Sequence, residues 1–165
     1  VKHCVDLCAA PCSWSQVLSR KLIIEGQEDP PKIVAVDLQA MAPLKGIIQI
    51  QGDIAKQSIA EQIISHFNSQ YADLLFVKVH QRVINIATYI ATYIYFLFYC
   101  IKYSCFKTWR FFCLKVFRGK DITLLYVQLK VFFKHVTYCK PRSSRNSSIE
   151  SFIVCKDYQP PNHYY

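Results

Sequence analysis

The sequence predicts an α/β fold, a parallel sheet covered by helices on both faces. Three observations predict it. Short apolar, β-branched runs alternate with segments of helical spacing. The connections between them are short and rich in turn residues. Acidic residues recur at or near the ends of the apolar runs, at Asp6, Asp37 and Asp53. With 165 residues, 52% hydrophobic and 19% charged, the chain has enough apolar surface for one domain with a core. That composition excludes a disordered tail, which is polar and poor in aromatics. The length, with no secretory leader, argues against a disulfide-stapled miniprotein.

Each element has a local reason. His3 to Leu7 reads as a short buried strand, and Ala9, Ala10, Pro11, Cys12 and Ser13 as a turn of small residues. Trp14 to Leu22 has helical spacing, with Ser13 as its expected N-cap. A loop around Gly26, Asp29, Pro30 and Pro31 leads to the β-branched strand Ile33 to Val36, which stops at Asp37. Ile47 to Ile50 is a third strand, stopping at Gly52 and Asp53. Ile59 to Phe67 is helical with Ser58 as the expected cap, and Asp73 to Val77 is a fourth strand. Further on, Leu114 to Phe117 is a strand followed by Arg118 and Gly119, and Thr123 to Phe133 an amphipathic helix. Val136 to Cys139 and Phe152 to Cys155 form two last strands around a polar, basic loop.

Charge divides the chain. Residues 1–101 hold 8 Lys/Arg and 8 Asp/Glu, whereas residues 102–165 hold 12 and 3, so the whole net charge of +9 lies in the second part. A localised positive field is the footprint of a polyanion-binding face, and a solvated basic surface is the alternative. The eight cysteines mostly sit inside apolar runs, as small buried hydrophobes do, and no pair has C-x-x-C spacing. No metal site is expected, and the expected setting is reduced, intracellular and cytoplasmic.

In open α/β sheets the ligand lies at the carboxyl ends of the strands. A carboxylate ending the second strand, as Asp37 does, can accept both hydroxyls of a ribose; a simple strand-end acid is the alternative. The first turn lacks the full glycine fingerprint. Cys12 stands where a glycine would let the backbone pass close to a ligand.

Five blocks in order make the reading specific. They are Val5-Asp6-Leu7-Cys8-Ala9-Ala10-Pro11-Cys12-Ser13-Trp14-Ser15-Gln16, Ala35-Val36-Asp37-Leu38-Gln39-Ala40-Met41-Ala42-Pro43-Leu44, Ile50-Gln51-Gly52-Asp53-Ile54, Lys115-Val116-Phe117-Arg118-Gly119, and Pro141 through Glu150. Together they resemble the FtsJ-like RNA 2′-O-ribose methyltransferases, most of all the eukaryotic branch that acts on the tRNA anticodon loop. The resemblance covers residues 3–77 and 113–158, and residues 78–112 depart from the pattern.

The resemblance implies a Rossmann-like methyltransferase sheet, mostly parallel, ending in an antiparallel hairpin. It implies S-adenosylmethionine as cofactor, lying across the first turn. Cys12 (through its backbone) and Trp14 would face it, Asp37 would hold its ribose hydroxyls, and Asp53 would sit near the adenine. The family works through a Lys-Asp-Lys-Glu set. Lys115 matches its second Lys and Glu150 its Glu. The first Lys would belong to a segment upstream of Val1, and Lys78 stands about where the Asp belongs, with the opposite charge. A ribose 2′-OH is a weak nucleophile that must lose a proton as it attacks the sulfonium methyl in line. A neutral amine can take that proton, and a paired carboxylate fixes where the amine stands. The remainder of the catalysis is alignment of donor and acceptor. Arg118, Lys120, Arg142 and Arg145, with Lys140, suit RNA phosphates and splayed bases.

The expected organisation is therefore one methyltransferase-like domain over residues 1–165, shortened at its N-terminus, with an aberrant segment at 78–112. That segment includes an uncharged run at 83–101, long enough to span a membrane but interrupted by Asn85, Thr88, Thr92 and tyrosines. RNA, expected to be tRNA, is the partner, with an auxiliary protein subunit as a further expectation. Two alternatives stay open: a non-catalytic RNA-binding remnant of the same fold, and a membrane-tethered basic protein.

Overall fold

The computed structural model describes residues 1–68, 72–78, 111–118 and 122–159. Seven strands form one sheet: β1 (His3–Leu7), β2 (Lys32–Asp37), β3 (Ile47–Gln51), β4 (Leu74–Lys78), β5 (Phe111–Phe117), β6 (Phe133–Cys139) and β7 (Glu150–Tyr158). Their order is β3-β2-β1-β4-β5-β7-β6. The first five pair in parallel, and β7 runs antiparallel to both β5 and β6. The α/β architecture read from the sequence is the one observed.

Helices α1 (Ser13–Leu22), α2 (Gln57–His66) and α3 (Ile122–Phe132) cover both faces. The strand period of two sorts the residues. Val5, Leu7, Val34, Val36, Leu75, Val77, Phe112, Leu114, Val116 and Ile153 face α2 and α3, and they pack there against Ala60, Ile63, Leu125 and Leu129 as the main core. The opposite face carries Asp6, Phe76, Lys78, Lys115, Glu150 and Phe152 along the register, beneath α1. All five residues of β1 are buried, as expected of a central strand with neighbours on both sides.

Several local expectations are corrected. Ser13 is not the N-cap of α1. Cys12 takes that place in the left-handed region (φ 72°), and its carbonyl accepts the Gln16 N–H at 3.0 Å, so Ser13 is already helical. Ser58 does not cap α2 either. A turn from Asp53 to Lys56 delivers the chain early, Lys56 is the N-cap, and Gln57 braces the first turn by donating to Glu61 at 2.8 Å. Strand β5 starts at Phe111, ahead of the expected Leu114, because Phe111 and Phe112 pair with Leu74 and Leu75. Phe133 belongs to β6 rather than to the helix before it, and its ring stacks on Phe112 with centroids 5.6 Å apart.

Among the described residues no helix is long and apolar enough to cross a membrane. The uncharged run at 83–101 lies outside them, as does Lys120.

Candidate active site

The turn from β1 into α1 is built of small residues because it must bend twice beside β2. Cys8 and Cys12 both adopt positive φ (57° and 72°), a conformation that glycine takes more easily. The Ala9 N–H donates to the Val36 carbonyl at 3.1 Å, and the Ala10 N–H to Asp37 Oδ2 at 2.9 Å. The other Asp37 oxygen accepts the Gln39 N–H at 2.8 Å. Asp37 thus ties the loop after β1 to the loop after β2.

Asp53 is brought beside it. The Gly52 N–H donates to the Asp37 carbonyl at 2.8 Å, and Asp53 Oδ1 accepts the Ala55 N–H at 2.9 Å. The Cys12 side chain does not project from the corner. It is buried against Ala9 and Ala35, and Gln49 Nε2 stands 3.6 Å from its sulfur while donating to the Ala42 carbonyl at 2.8 Å. Burial pushes the Cys12 thiol up from its ordinary range, which keeps it protonated.

The second half of the site comes from β4, β5 and β7. Lys78, Lys115 and Phe152 are register partners across these strands, so their side chains share the α1 face. Lys115 Nζ lies 2.7 Å from Glu150 Oε1, with side-chain exposures of 15% and 44%. Such a half-open pair adds little to stability. Its value is that it fixes the amine. Lys78 Nζ donates to the Ala10 carbonyl, so the end of β4 is fastened to the corner itself. The Trp14 ring packs on Phe76 and edge-on against Phe152, with centroids 4.8 and 5.6 Å away, which holds the start of α1 over the same strands.

Asp6 is a member that sequence reasoning placed only as a strand-end acid. It is sealed within the protein at 1% exposure and accepts the Ser15 hydroxyl on Oδ2 at 2.5 Å, while Oδ1 has no hydrogen-bond partner among the described residues. Burial pushes its carboxyl up to about 6, against the opposing pull of Ser15 and of the Lys78 charge. The Asp6–Ser15 spacing carries no motif signal; only the docking of α1 on β1 brings them together. The Lys78–Ala10 contact was equally hidden.

The basic residues divide. Arg118, Arg142 and Arg145 are exposed, and the Arg118 N–H donates to the Ile149 carbonyl at 2.7 Å, which places Arg118 beside the Lys115–Glu150 pair. Lys140 is engaged within its own loop, donating to the carbonyls of Asn146 (3.1 Å) and Ser148 (2.8 Å). It shapes the loop that carries the two arginines.

A parallel sheet reversing at β1/β4, closed by an antiparallel last pair and holding a carboxylate-tethered corner, is a Rossmann-like methyltransferase fold. Solved structures agree on the fold. A Plasmodium falciparum chain assigned as a ribosomal RNA methyltransferase aligns over 97% of this chain and 88% of its own, with a TM-score of 0.68 at 22% identity. Human methyltransferase-like protein 13, solved in complex with SAH, aligns over 98% of this chain and 73% of its own, with a TM-score of 0.62 at 12% identity. The family profile of the FtsJ-like methyltransferases matches residues 1–158, and the chain belongs to that family. The mouse tRNA (cytidine(32)/guanosine(34)-2′-O)-methyltransferase is 49% identical over 98% of this chain and 50% of its own. The chain spans about half the length of the curated tRNA methyltransferases of mouse and human that it matches.

Proposed function

We propose that this chain carries out S-adenosylmethionine-dependent 2′-O-methylation of ribose in RNA, with the tRNA anticodon loop as substrate. The observation that carries the reading is the Lys115–Glu150 pair. It stands on the same sheet face as the corner that Lys78 fastens, so an amine and a cofactor seat share one cleft. The similarity to tRNA 2′-O-methyltransferases supports the choice of substrate.

The adenosine half of the cofactor fits the residues present. Each Asp37 oxygen accepts one backbone N–H and keeps a further lone pair for a ribose hydroxyl. The Cys12 side chain is turned inward, so the corner keeps a glycine-like path at the surface. Asp53 is at hand for the base, and Trp14 is the rigid start of the helix beneath the cofactor. When bound, the cofactor supplies an electrophilic methyl.

The protein's own residues do the rest. In its neutral form the Lys115 amine takes the proton from the ribose 2′-OH, and Glu150 accepts a hydrogen bond from that amine and holds it in place. Arg118, Arg142, Arg145 and Lys120 bind phosphates on either side of the reacting nucleotide. Fixing both partners removes much of the entropic barrier of the transfer. The setting is the cytoplasm, where tRNA is modified, and an auxiliary subunit would extend the RNA surface. The activity belongs to a single methyltransferase-like domain in which residues 78–112 stand apart from the family pattern.

The test is transfer of tritiated methyl onto unmodified tRNA. The unmutated chain should label ribose, and Lys115→Ala should lower the rate by a factor on the order of 100 or more. Full activity in that variant overturns the assignment of the base. Binding of tRNA with no methyl transfer under any condition overturns the enzymatic reading.

A further inference from the structure

Strand β5 divides its residues between two faces. Phe112, Leu114 and Val116 enter the main core, and Lys115 and Phe117 lie on the α1 side. Phe117 is the last residue of the strand and the register partner of Glu150. It is half-buried, and it joins neither of the apolar clusters formed by the described residues. An aromatic ring therefore stands at the carboxyl edge of the sheet without serving either cluster. Lys115 Nζ lies 5.8 Å from the centre of that ring and 2.7 Å from Glu150 Oε1. The exposed Arg118 follows directly.

The position along the sheet decides what the ring can meet. Asp37, suited to the ribose of the cofactor, ends β2, and Asp53 follows β3. Strand β5 stands three places from β2 in the strand order, roughly 14 Å away at about 4.8 Å per strand. Phe117 is thus on the acceptor's side of the transfer, next to the amine that receives the proton. The distance from Lys115 Nζ to the ring centre is of the same order as the distance from a ribose 2′-oxygen to the middle of its own base. A base laid parallel over Phe117 therefore keeps its own 2′-hydroxyl over the amine. Unpaired RNA bases stack on aromatic side chains in this way, and stacking leaves the base edges unread.

We infer that Phe117 is the stacking platform for the base of the nucleotide that is methylated. The inference rests on the methyltransferase reading above and adds to it the residue that aligns the acceptor. Lys115 and Glu150 act at the hydroxyl. Phe117 sets where that hydroxyl stands, by holding the base attached to the same ribose. Because the ring reads no base edge, it takes a pyrimidine or a purine alike.

The test compares methyl transfer to unmodified tRNA with transfer to the same tRNA carrying an abasic ribose at the methylated position. That ribose keeps its 2′-hydroxyl and lacks the base. The quantity read is kcat/KM for each RNA. In the unmutated chain, loss of the base should lower it by about tenfold or more. Phe117→Leu keeps apolar bulk beside Lys115 but offers no π-face. It should lower transfer to intact tRNA by a similar factor and make the chain indifferent to removal of the base. Phe117→Trp should bring the dependence on the base back. A ring that only packs around Lys115 would slow both RNAs alike and leave their ratio as in the unmutated chain, and that result overturns the inference. Equal rates on the two RNAs in the unmutated chain overturn it as well, and this comparison needs no variant to fold. Both outcomes leave the methyltransferase reading standing. Absence of transfer to any RNA overturns that reading and the inference together.

Discussion

Asp37 Oδ2 accepts the backbone N–H of Ala10 at 2.9 Å, joining two loops that are far apart in sequence. The same carboxylate holds Gln39, and its own carbonyl holds Gly52. Three loop ends at the carboxyl edge of the sheet therefore converge on one residue. The corner is shaped before any ligand arrives, which reduces the ordering that binding must impose.

Asp37→Asn tests that convergence. An amide offers one acceptor oxygen where the structure uses two, and its NH2 would meet a backbone donor. The variant should lose about 1–3 kcal/mol in urea unfolding and bind S-adenosylhomocysteine at least about tenfold more weakly. Unchanged stability would mean that the loops do not depend on this carboxylate.

Cys12 separates backbone from side-chain effects. At φ 72° any β-carbon is strained, and a branched one more so. Cys12→Gly relieves that strain but gives up a thiol buried against Ala9 and Ala35, so its stability should stay within about 1 kcal/mol of the parent. Cys12→Val should lose about 2 kcal/mol or more. Denaturant midpoints of the two variants, measured side by side, decide it. A valine as well tolerated as glycine would refute the left-handed corner.

Asp6 predicts a dependence on pH. Its carboxyl is pushed up to about 6 in the folded chain from an ordinary 3.8, mainly by burial. The folded state therefore binds the proton more tightly than the unfolded state. The stabilising contribution is complete below pH 4 and is lost as pH rises through about 6. The loss is on the order of 2–3 kcal/mol. In Asp6→Asn this dependence should vanish, so the variant should gain on the parent between pH 4.5 and 7.5 in urea melts. Parallel pH profiles for the two proteins would show that Asp6 does not titrate as the structure requires.

Arg142 and Arg145 are exposed on the loop that Lys140 shapes. Replacing either with Ala should weaken tRNA binding and reduce the slope of log affinity against log salt by about 1, with little change in fold stability. Filter binding across a salt series reads both quantities. An unaltered slope would remove these residues from the RNA surface.

The main features of the fold were legible in the sequence. The run from His3 to Leu7, the β-branched strand before Asp37 and the alternation of strand with helix led to a parallel sheet with both faces covered, because burial on both sides demands nearly continuous apolar strands. Lys115 and Glu150 were legible as residues, from their blocks. Their meeting at 2.7 Å was not, since it depends on β7 pairing antiparallel to β5 in one register; a slip of one residue would have turned Glu150 to the other face. Helix starts were misread at Ser13 and Ser58 because the turns before them deliver the chain earlier than a capping side chain would.

By itself, then, the sequence determined the order and type of the elements, the basic second part and the acidic strand ends. These follow from local patterning and composition, which need no third dimension. Only the tertiary structure decided that Asp6 is sealed beneath Ser15, that Asp37 gathers three loops, and that Lys78 reaches Ala10. Such contacts join residues distant along the chain, and side-chain burial and electrostatics act through space.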